Sequence, residues 1–446
     1  MKALVIGYQK SGKSASKLLK KLGYRVIIVN DDRVYDKQKI DRLIKDLSFI
    51  VVSPGVLPDS AIITKAKELN IKVIGELELG CLYLKGNLIA ITGTNGKTTT
   101  TSLTKHLLGE DNTFIGGNIG TPVSNFCLNT NCKSTTVCEV SSFQLMYIDK
   151  FCPKISVFLN LTPDHINYHK TMQNYLNAKL NIFKNQTSND FAVLNADDAV
   201  VSSIQQKNAK VLYFSTKKRV NGCFASGGNI YFRDTTNTIK GFNKSVKIAK
   251  TSDVKLIGEH NLSNALCAIT CAIISGIDIK TINMRLQSFK PIEHRLQVVT
   301  DIGGVTFIND SKATNTLSTV CAINSMTAPT TLILGGSNKG CSFDDIFNCQ
   351  SLITNYVLMG ETKHIIAQTA KKWGKENIVM ANSLSNAVEL AYKLSATGSN
   401  VLFSPACASY DMFTNFEQRG KCFCGIVREL KRSENNSRKN IKKNKV

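Results

Sequence analysis

The chain has 446 residues, of which 43% are hydrophobic, 20% charged and 7% aromatic; at roughly 150 residues per domain this predicts about three globular domains. No apolar run approaches the ~18 residues of a membrane span, and the first residues enter a short strand rather than a signal-peptide pattern, so a cytoplasmic protein without membrane insertion is expected. The formal net charge of +23 suits attraction of anionic substrates, whereas no helix-turn-helix or aromatic RNA-binding motif accompanies it, which argues against nucleic acid. The fourteen cysteines are scattered without a CxxC pair and read as free thiols rather than a disulfide or metal framework.

The first segment alternates short strands (residues 3–6, 25–30, 49–53 and 72–74) with helices (13–22 and 41–47), the pattern of a parallel sheet with right-handed crossovers. Its opening, Gly7-Tyr8-Gln9-Lys10-Ser11-Gly12, has the strand, glycine turn and helix of a dinucleotide fingerprint, with Asp31 at the end of the second strand. Gln9 replaces the middle glycine that lets a pyrophosphate approach the backbone, which argues against NAD chemistry. Either a nucleotide-sugar diphosphate at Ser11, Gly12, Lys13 and Ser14 or a tight turn without a ligand remains.

The second segment carries the main signal, Thr92-Gly93-Thr94-Asn95-Gly96-Lys97-Thr98-Thr99, between an apolar run (88–91) and a helical stretch (99–108). A strand that turns sharply into a helix directs backbone N–H groups and the positive helix end at one point, where a polyphosphate is best held. Lys97 supplies a cation for terminal phosphates and Thr98 a hydroxyl for Mg²⁺. Ile91 occupies the place of the first glycine of the standard eight-position loop, so this is a variant that binds ATP. Strands follow at 135–139, 155–159 and 191–194, and a helix at 174–184; residues 211–248 suggest antiparallel hairpins. Glu139 and His165 sit at strand ends, where open parallel sheets hold ligands, and Lys179 lies in a helix. Singly, each has an ordinary structural reading: a capping acid, a loop histidine, a solvated lysine. Together behind an ATP loop, the carboxylate and imidazole suit a metal beside the γ-phosphate.

The third segment, from about residue 291, has strands at 306–309, 331–334, 356–359 and 401–403. His294-Arg295, Asn309-Asp310-Ser311-Lys312 and Gly336-Ser337-Asn338-Lys339 supply polar groups near strand ends. Arg295 suits bidentate phosphate contact and Lys339 a point charge; Asp310 either orients a nucleotide or caps the following helix. The stretch from Ser404 to Gly420 is dense in small residues, hydroxyls and aromatics, and Ser409 suits a small carboxylate. Residues 428–446 carry eight basic and two acidic residues; beyond Glu434 they lack core-forming side chains and are expected to be disordered.

TGTNGKTTT, ExSSFQ, NLTPDH, the NAK lysine, GEHNLSNA, HR, NDSKATN and SPACASYDMFTNFEQRG occur in one order along the chain. In this the sequence resembles the bacterial Mur ligases, and the last two motifs resemble their D-glutamate-adding branch. The resemblance runs from Lys2 to about Leu430. It implies an α/β protein of three domains: a Rossmann-like UDP-substrate domain (1–86), a P-loop-type ATPase domain (87–290) and a Rossmann-like amino-acid-binding domain (291–431), followed by the basic tail (432–446).

The resemblance further implies ATP-dependent ligation of D-glutamate to UDP-N-acetylmuramoyl-L-alanine through an acyl phosphate, by a monomer. Ser11, Gly12, Asp31, Arg33 and Gly55 would hold the UDP part, with Asn118 and His165 at the muramoyl end. Residues Gly93 to Thr99, Asn264, Arg295, Asp310 and Lys312 would hold ATP. Thr98, Glu139 and His165 would serve Mg²⁺, steadied by Lys179 as a carbamate. Lys339, Lys363, Ser409 and Phe416 would hold D-glutamate. Gln9 and Ser337 depart from the family pattern.

Overall fold

The computed structural model describes residues 1–30, 36–290, 292–337, 340, 342–349 and 351–443, with side chains as far as 436. It contains three α/β sheets and divides into two compact units, Met1–Val254 with Leu262–Phe289, and Lys255–Asn261 with Lys290–Val446.

In the first unit, β1 (Lys2–Ile6), β2 (Arg25–Val29), β3 (Phe49–Val52) and β4 (Val73–Gly75) form a wholly parallel sheet in the order β2-β1-β3-β4. Near-continuous runs of Val, Ile and Leu suit strands covered by helices on both faces. The strand order reverses at β1, so the turn after it is the crevice position of a doubly wound sheet. There Gly12 packs so closely that a Cβ would lie 1.8 Å from the Gly7 carbonyl oxygen.

The second sheet has nine strands: β5 (Asn87–Thr92), β6 (Thr113–Gly117), β7 (Thr135–Glu139), β8 (Ile155–Phe158), β9 (Phe191–Asn195), β10 (Lys210–Ser215), β11 (Gly222–Ser226), β12 (Asn229–Arg233) and β13 (Val246–Lys250). Their order is β13-β12-β11-β10-β9-β8-β5-β7-β6. The strand β5 lies centrally between β8 and β7, parallel to both, so the loops after these three strands share one edge. The expected antiparallel region is narrower than the sequence pattern suggested: β10 pairs parallel with both β9 and β11, and only β11, β12 and β13 are antiparallel.

The core does not stop at residue 86. One apolar cluster joins Val5, Leu18 and Val51 to Leu77, Val123, Ala90, Cys138 and Leu145. Polar joints reinforce it: the fully buried Glu78 carboxylate accepts from the backbone N–H groups of Asp149, Lys150 and Phe151 at 3.0, 2.8 and 3.1 Å.

The second unit holds β14 (Gln297–Ile302), β15 (Val305–Asn309), β16 (Thr330–Leu334), β17 (Ile353–Leu358), β18 (Ile378–Met380) and β19 (Asn400–Phe403), in the order β14-β15-β19-β16-β17-β18. All pair parallel except the β14–β15 hairpin. The final helix, Phe416–Lys443, buries Phe423 and Val427 on this sheet. It corrects the expectation of a disordered tail, because the backbone stays helical through 432–443. Lysine, arginine and glutamate are good helix formers, and a packed first half supplies the nucleus from which the helix propagates.

Among the described residues, thirteen cysteines are free thiols and no helix is long and apolar enough to cross a membrane. Glu78→Ala would leave three N–H groups without this acceptor, that of Phe151 buried and those of Asp149 and Lys150 part-buried, at about 1–3 kcal/mol for a buried one and less for the others. We expect a loss of about 3 kcal/mol or more in urea unfolding of the first unit; a loss below about 1 kcal/mol would mean that the carboxylate is not what holds this joint.

Candidate active site

The loop after β5 is shaped by glycine at one decisive position. Gly96 caps the helix Lys97–Leu108 with φ of +83°, and a Cβ there would lie 2.4 Å from Asn264 Oδ1. Only glycine satisfies both the left-handed backbone and the close approach. Thr100 Oγ1 donates to the Gly96 carbonyl and to Asn264 Oδ1, which ties Asn264 to the loop.

Thr98 and Glu139 meet directly. The Thr98 hydroxyl donates to Glu139 Oε2 at 2.8 Å, and Asn118 Nδ2 donates to Oε1 at 2.7 Å. Glu139 is 3% exposed at the end of β7. Both oxygens are satisfied by neutral donors, which leaves the carboxylate charge available to a cation.

Lys97 and Lys179 meet as well. Lys97 Nζ donates to the carbonyls of Gly93 and Thr94 at 2.9 and 2.7 Å. Lys179 Nζ, from the helix Met172–Leu180, donates to the same Gly93 oxygen at 2.8 Å and lies 4.7 Å from the Tyr175 ring centroid. Lys179 is 1% exposed, and among the described residues no carboxylate pairs with it. Burial pushes its ammonium well below the ordinary lysine range, Lys97 adds repulsion, and Asp164 and Glu139 offset this only in part. The ordinary reading of Lys179 as a solvated helix lysine does not hold: it is a buried amine of lowered basicity.

His165 stands at the start of the next short helix with φ of +54°. Its Nε2 lies 3.6 Å from Asp164 Oδ2, and its ring packs edge-on against Phe143, 4.9 Å between centroids. Its link to Lys179 runs through Tyr175, whose ring centroid is 6.4 Å away. Among the described residues no three His, Cys, Asp or Glu side chains converge as a metal cage. Thr98 and Glu139 fit Mg²⁺, which takes one or two protein ligands and keeps water or phosphate oxygens.

Three residues had no role in the sequence reading. Asn160, after β8, accepts from Thr94 N and Asn95 N through Oδ1 and donates from Nδ2 to the Asn95 carbonyl. Buried His169 contacts Ser142 Oγ through Nε2 at 2.9 Å and stacks on Phe143; burial, then His165 and Lys179, lowers its pKa. Tyr168 donates to the Val56 carbonyl, beside Gly55. Spacing alone carries no signal for such contacts between separate strand ends.

At the glycine turn after β1, Ser11 and Gly12 begin the helix Lys10–Lys21, and Ser53 Oγ donates to the Gly7 carbonyl at 2.8 Å. Asp31, Arg33 and Lys339 lie outside the described residues.

In the second unit, polar groups gather at the carboxyl ends of β15, β19, β16 and β17. Asp310 accepts from Leu296 N at 3.2 Å and from Ser404 Oγ at 2.7 Å. Burial raises its pKa to about 7, against lowering by Ser404, the Leu296 amide and Arg295. Lys312 Nζ lies 3.8 Å over the Phe416 ring. Ser409 is 2% exposed, in the stretch where Ala408 bridges Ser337 and Asp411 accepts from Glu361 N. These bonds bring the loop before Lys363 to that of Ser409. Arg419, also without a role in the sequence reading, is fully buried and donates to Ser311 Oγ and to the carbonyls of Ser311, Cys407 and Ala408. Burial brings its guanidinium down to about 10.

A phosphate loop backed by a carboxylate and a buried lysine, in a chain of three α/β sheets, is matched by known proteins. Residues 91–272 match the Mur ligase middle domain and residues 294–407 the Mur ligase glutamate ligase domain. The chain belongs to the Mur ligase family. Within it, the UDP-N-acetylmuramoylalanine–D-glutamate ligase of Clostridioides difficile (strain 630) is 43% identical, covering 96% of this chain and 99% of that one. The enzyme of the same name from Caldanaerobacter subterraneus subsp. tengcongensis is 41% identical over 88% of this chain and 86% of its own. A UDP-N-acetylmuramate–alanine ligase from Thermotoga maritima has a similar fold, with a TM-score of 0.58 at 18% identity over 97% of this chain and 100% of that one.

The raised pKa of Asp310 has a defined stability signature. The folded state keeps its proton up to about pH 7, whereas an unfolded aspartate loses it near pH ~3.9. Stability is therefore lost as pH rises through this window, by up to roughly 4 kcal/mol, and the penalty persists above it. Asp310→Asn should flatten this slope in urea unfolding of the second unit between pH 4 and 8; an unchanged slope would show that Asp310 ionises normally.

Proposed function

We propose that this protein joins D-glutamate to UDP-N-acetylmuramoyl-L-alanine at the expense of ATP. The observation that carries the reading is near full-length similarity to D-glutamate ligases in a chain whose Thr98, Glu139 and Asn118 form one hydrogen-bonded group beside the phosphate loop.

The alanyl carboxylate oxygen attacks the γ-phosphorus of ATP; the bond to ADP breaks and an acyl phosphate forms. The D-glutamate amine then adds to the acyl carbon, loses a proton and expels inorganic phosphate, leaving an amide. Such chemistry depends on positioning and charge stabilisation more than on covalent participation by the protein. Backbone N–H groups at the start of the helix Lys97–Leu108 and the Lys97 ammonium hold the phosphates. Thr98 and Glu139 would hold Mg²⁺, which when bound neutralises phosphate charge. Asn118 and His165 orient the muramoyl end, and Ser11, Gly12 and Gly55, with Asp31 and Arg33, take the UDP part. In the second unit Asp310, Lys312 and Arg295 serve the nucleotide, and Ser409, Lys363 and the Phe416 backbone, with Lys339, receive D-glutamate.

Lys179 is carbamylated. Its neutral amine attacks CO₂, a C–N bond forms and a proton is released, leaving an anion on the buried side chain. The low basicity of Lys179 supports this, because only the unprotonated amine is a nucleophile. The enzyme works in the cytoplasm as a monomer, without nucleic acid.

The direct test is phosphate release with Mg-ATP and UDP-N-acetylmuramoyl-L-alanine. Release that requires D-glutamate, and is not supported by L-glutamate or other amino acids, is expected; release indifferent to D-glutamate overturns the reading. Lys97→Ala should lower turnover at least ~10³-fold while melting like the parent, and turnover near the parent's would sink the phosphate-loop assignment. Lys179→Ala should lose activity that short carboxylates partly restore. Full activity without them would remove the carbamate.

A further inference from the structure

We propose that Asn160 is a positioning residue that closes the first half of the phosphate loop, so that the nucleotide's phosphates are held only by amides from Gly96 onward. The proposal rests on the ATP-binding reading above. In a standard eight-position loop a long run of backbone N–H groups wraps the phosphates. Aligned on Gly96-Lys97-Thr98, the fourth and fifth positions here are Thr94 and Asn95. Their N–H groups already have an acceptor: Asn160 Oδ1 takes Thr94 N at 3.1 Å and Asn95 N at 2.8 Å, and the Asn160 backbone carbonyl takes Thr94 N at 3.0 Å. The carboxamide also donates from Nδ2 to the Asn95 carbonyl at 3.1 Å. Asn95 is thus paired in both directions with one side chain, as a residue is in a β-ladder.

The clamp is itself held. Asn195 Nδ2 donates to the Leu159 carbonyl at 2.8 Å, and Asp198 Oδ2 accepts from Leu161 N at 3.0 Å, fixing the residues on either side of Asn160. The same loop is tied again by Thr94 Oγ1, which donates to the Thr162 carbonyl at 3.1 Å and lies 3.3 Å from Tyr175 OH. A phosphate oxygen reaching Thr94 N or Asn95 N would have to break a two-way amide pair anchored at both flanks. Backbone amides from Gly96 onward, at the start of the helix, would then meet the phosphates. Without an early glycine the loop keeps its shape through this borrowed side chain.

Residue-resolved amide exchange, with MgADP as the probe, tests this. The Asn95 amide is expected to exchange slowly in the free protein and to be unaffected by MgADP, while Gly96, Lys97 and Thr98 become protected only when the nucleotide is added. A fast Asn95 amide that MgADP protects overturns the clamp while leaving nucleotide binding intact; no MgADP-induced protection anywhere in the loop overturns the ATP-binding reading and the clamp with it. Asn160→Ala should raise the KM for ATP about tenfold or more, with the KM for UDP-N-acetylmuramoyl-L-alanine and for D-glutamate within about twofold. A parent-like KM for ATP, or an equal change in all three, overturns the positioning role. Asn160→Asp keeps an acceptor for both amides, so Asn95 should stay slow in that variant even if the alanine variant does not fold; a fast Asn95 amide there counts against the clamp.

Discussion

One carbonyl oxygen organises the centre of this protein. Gly93, just past the end of β5 in the nine-stranded sheet, accepts from both Lys97 and Lys179. Two ammonium groups on one oxygen in a buried setting repel each other, and the local dielectric magnifies that repulsion. The conflict is relieved when one of the two is not a cation. Lys179, fully enclosed, is the one whose ammonium is disfavoured, first by burial and then by Lys97. The proposed carbamate would draw on that lowered basicity.

The same constraint explains how much of the site was legible in sequence. The loop, Glu139 and the helix bearing Lys179 were readable because each follows an apolar run that could only be a buried strand or helix, and each carries a polar group where such a run ends. Their mutual contacts were not readable, since they depend on strand order: β5 lies between β8 and β7 although β6 precedes β7 in the chain. Asn160 was invisible for that reason. β6 itself, Thr113–Gly117, escaped because it carries two glycines and little apolar content. β14 escaped because an antiparallel edge strand alternates rather than running apolar.

The second unit shows a different balance. Its site loops are held by Arg419, a buried cation whose partners are three carbonyls and a hydroxyl rather than a carboxylate. Nearby Asp310 is a buried acid that accepts from a hydroxyl and an amide. Each is solvated by the protein's own dipoles, an arrangement that fixes loop shape more strictly than apolar packing does. The SPACASYDMFTNFEQRG stretch was recognisable from its residue make-up and its resemblance to the family's motif, whereas the arginine's role within it depends on Ser311, more than a hundred residues earlier.

The antiparallel end of the nine-stranded sheet gives the basic composition a further meaning. β13 is an edge strand, the usual template for unwanted sheet growth between molecules, and its Ile248 carbonyl is capped by Asn283 Nδ2. Lys247 and Lys250 stand exposed on it, with Lys244 just before. A second copy approaching edge to edge would bring these ammonium groups against their own counterparts. On this rim the positive charge acts as insulation against sheet growth between molecules.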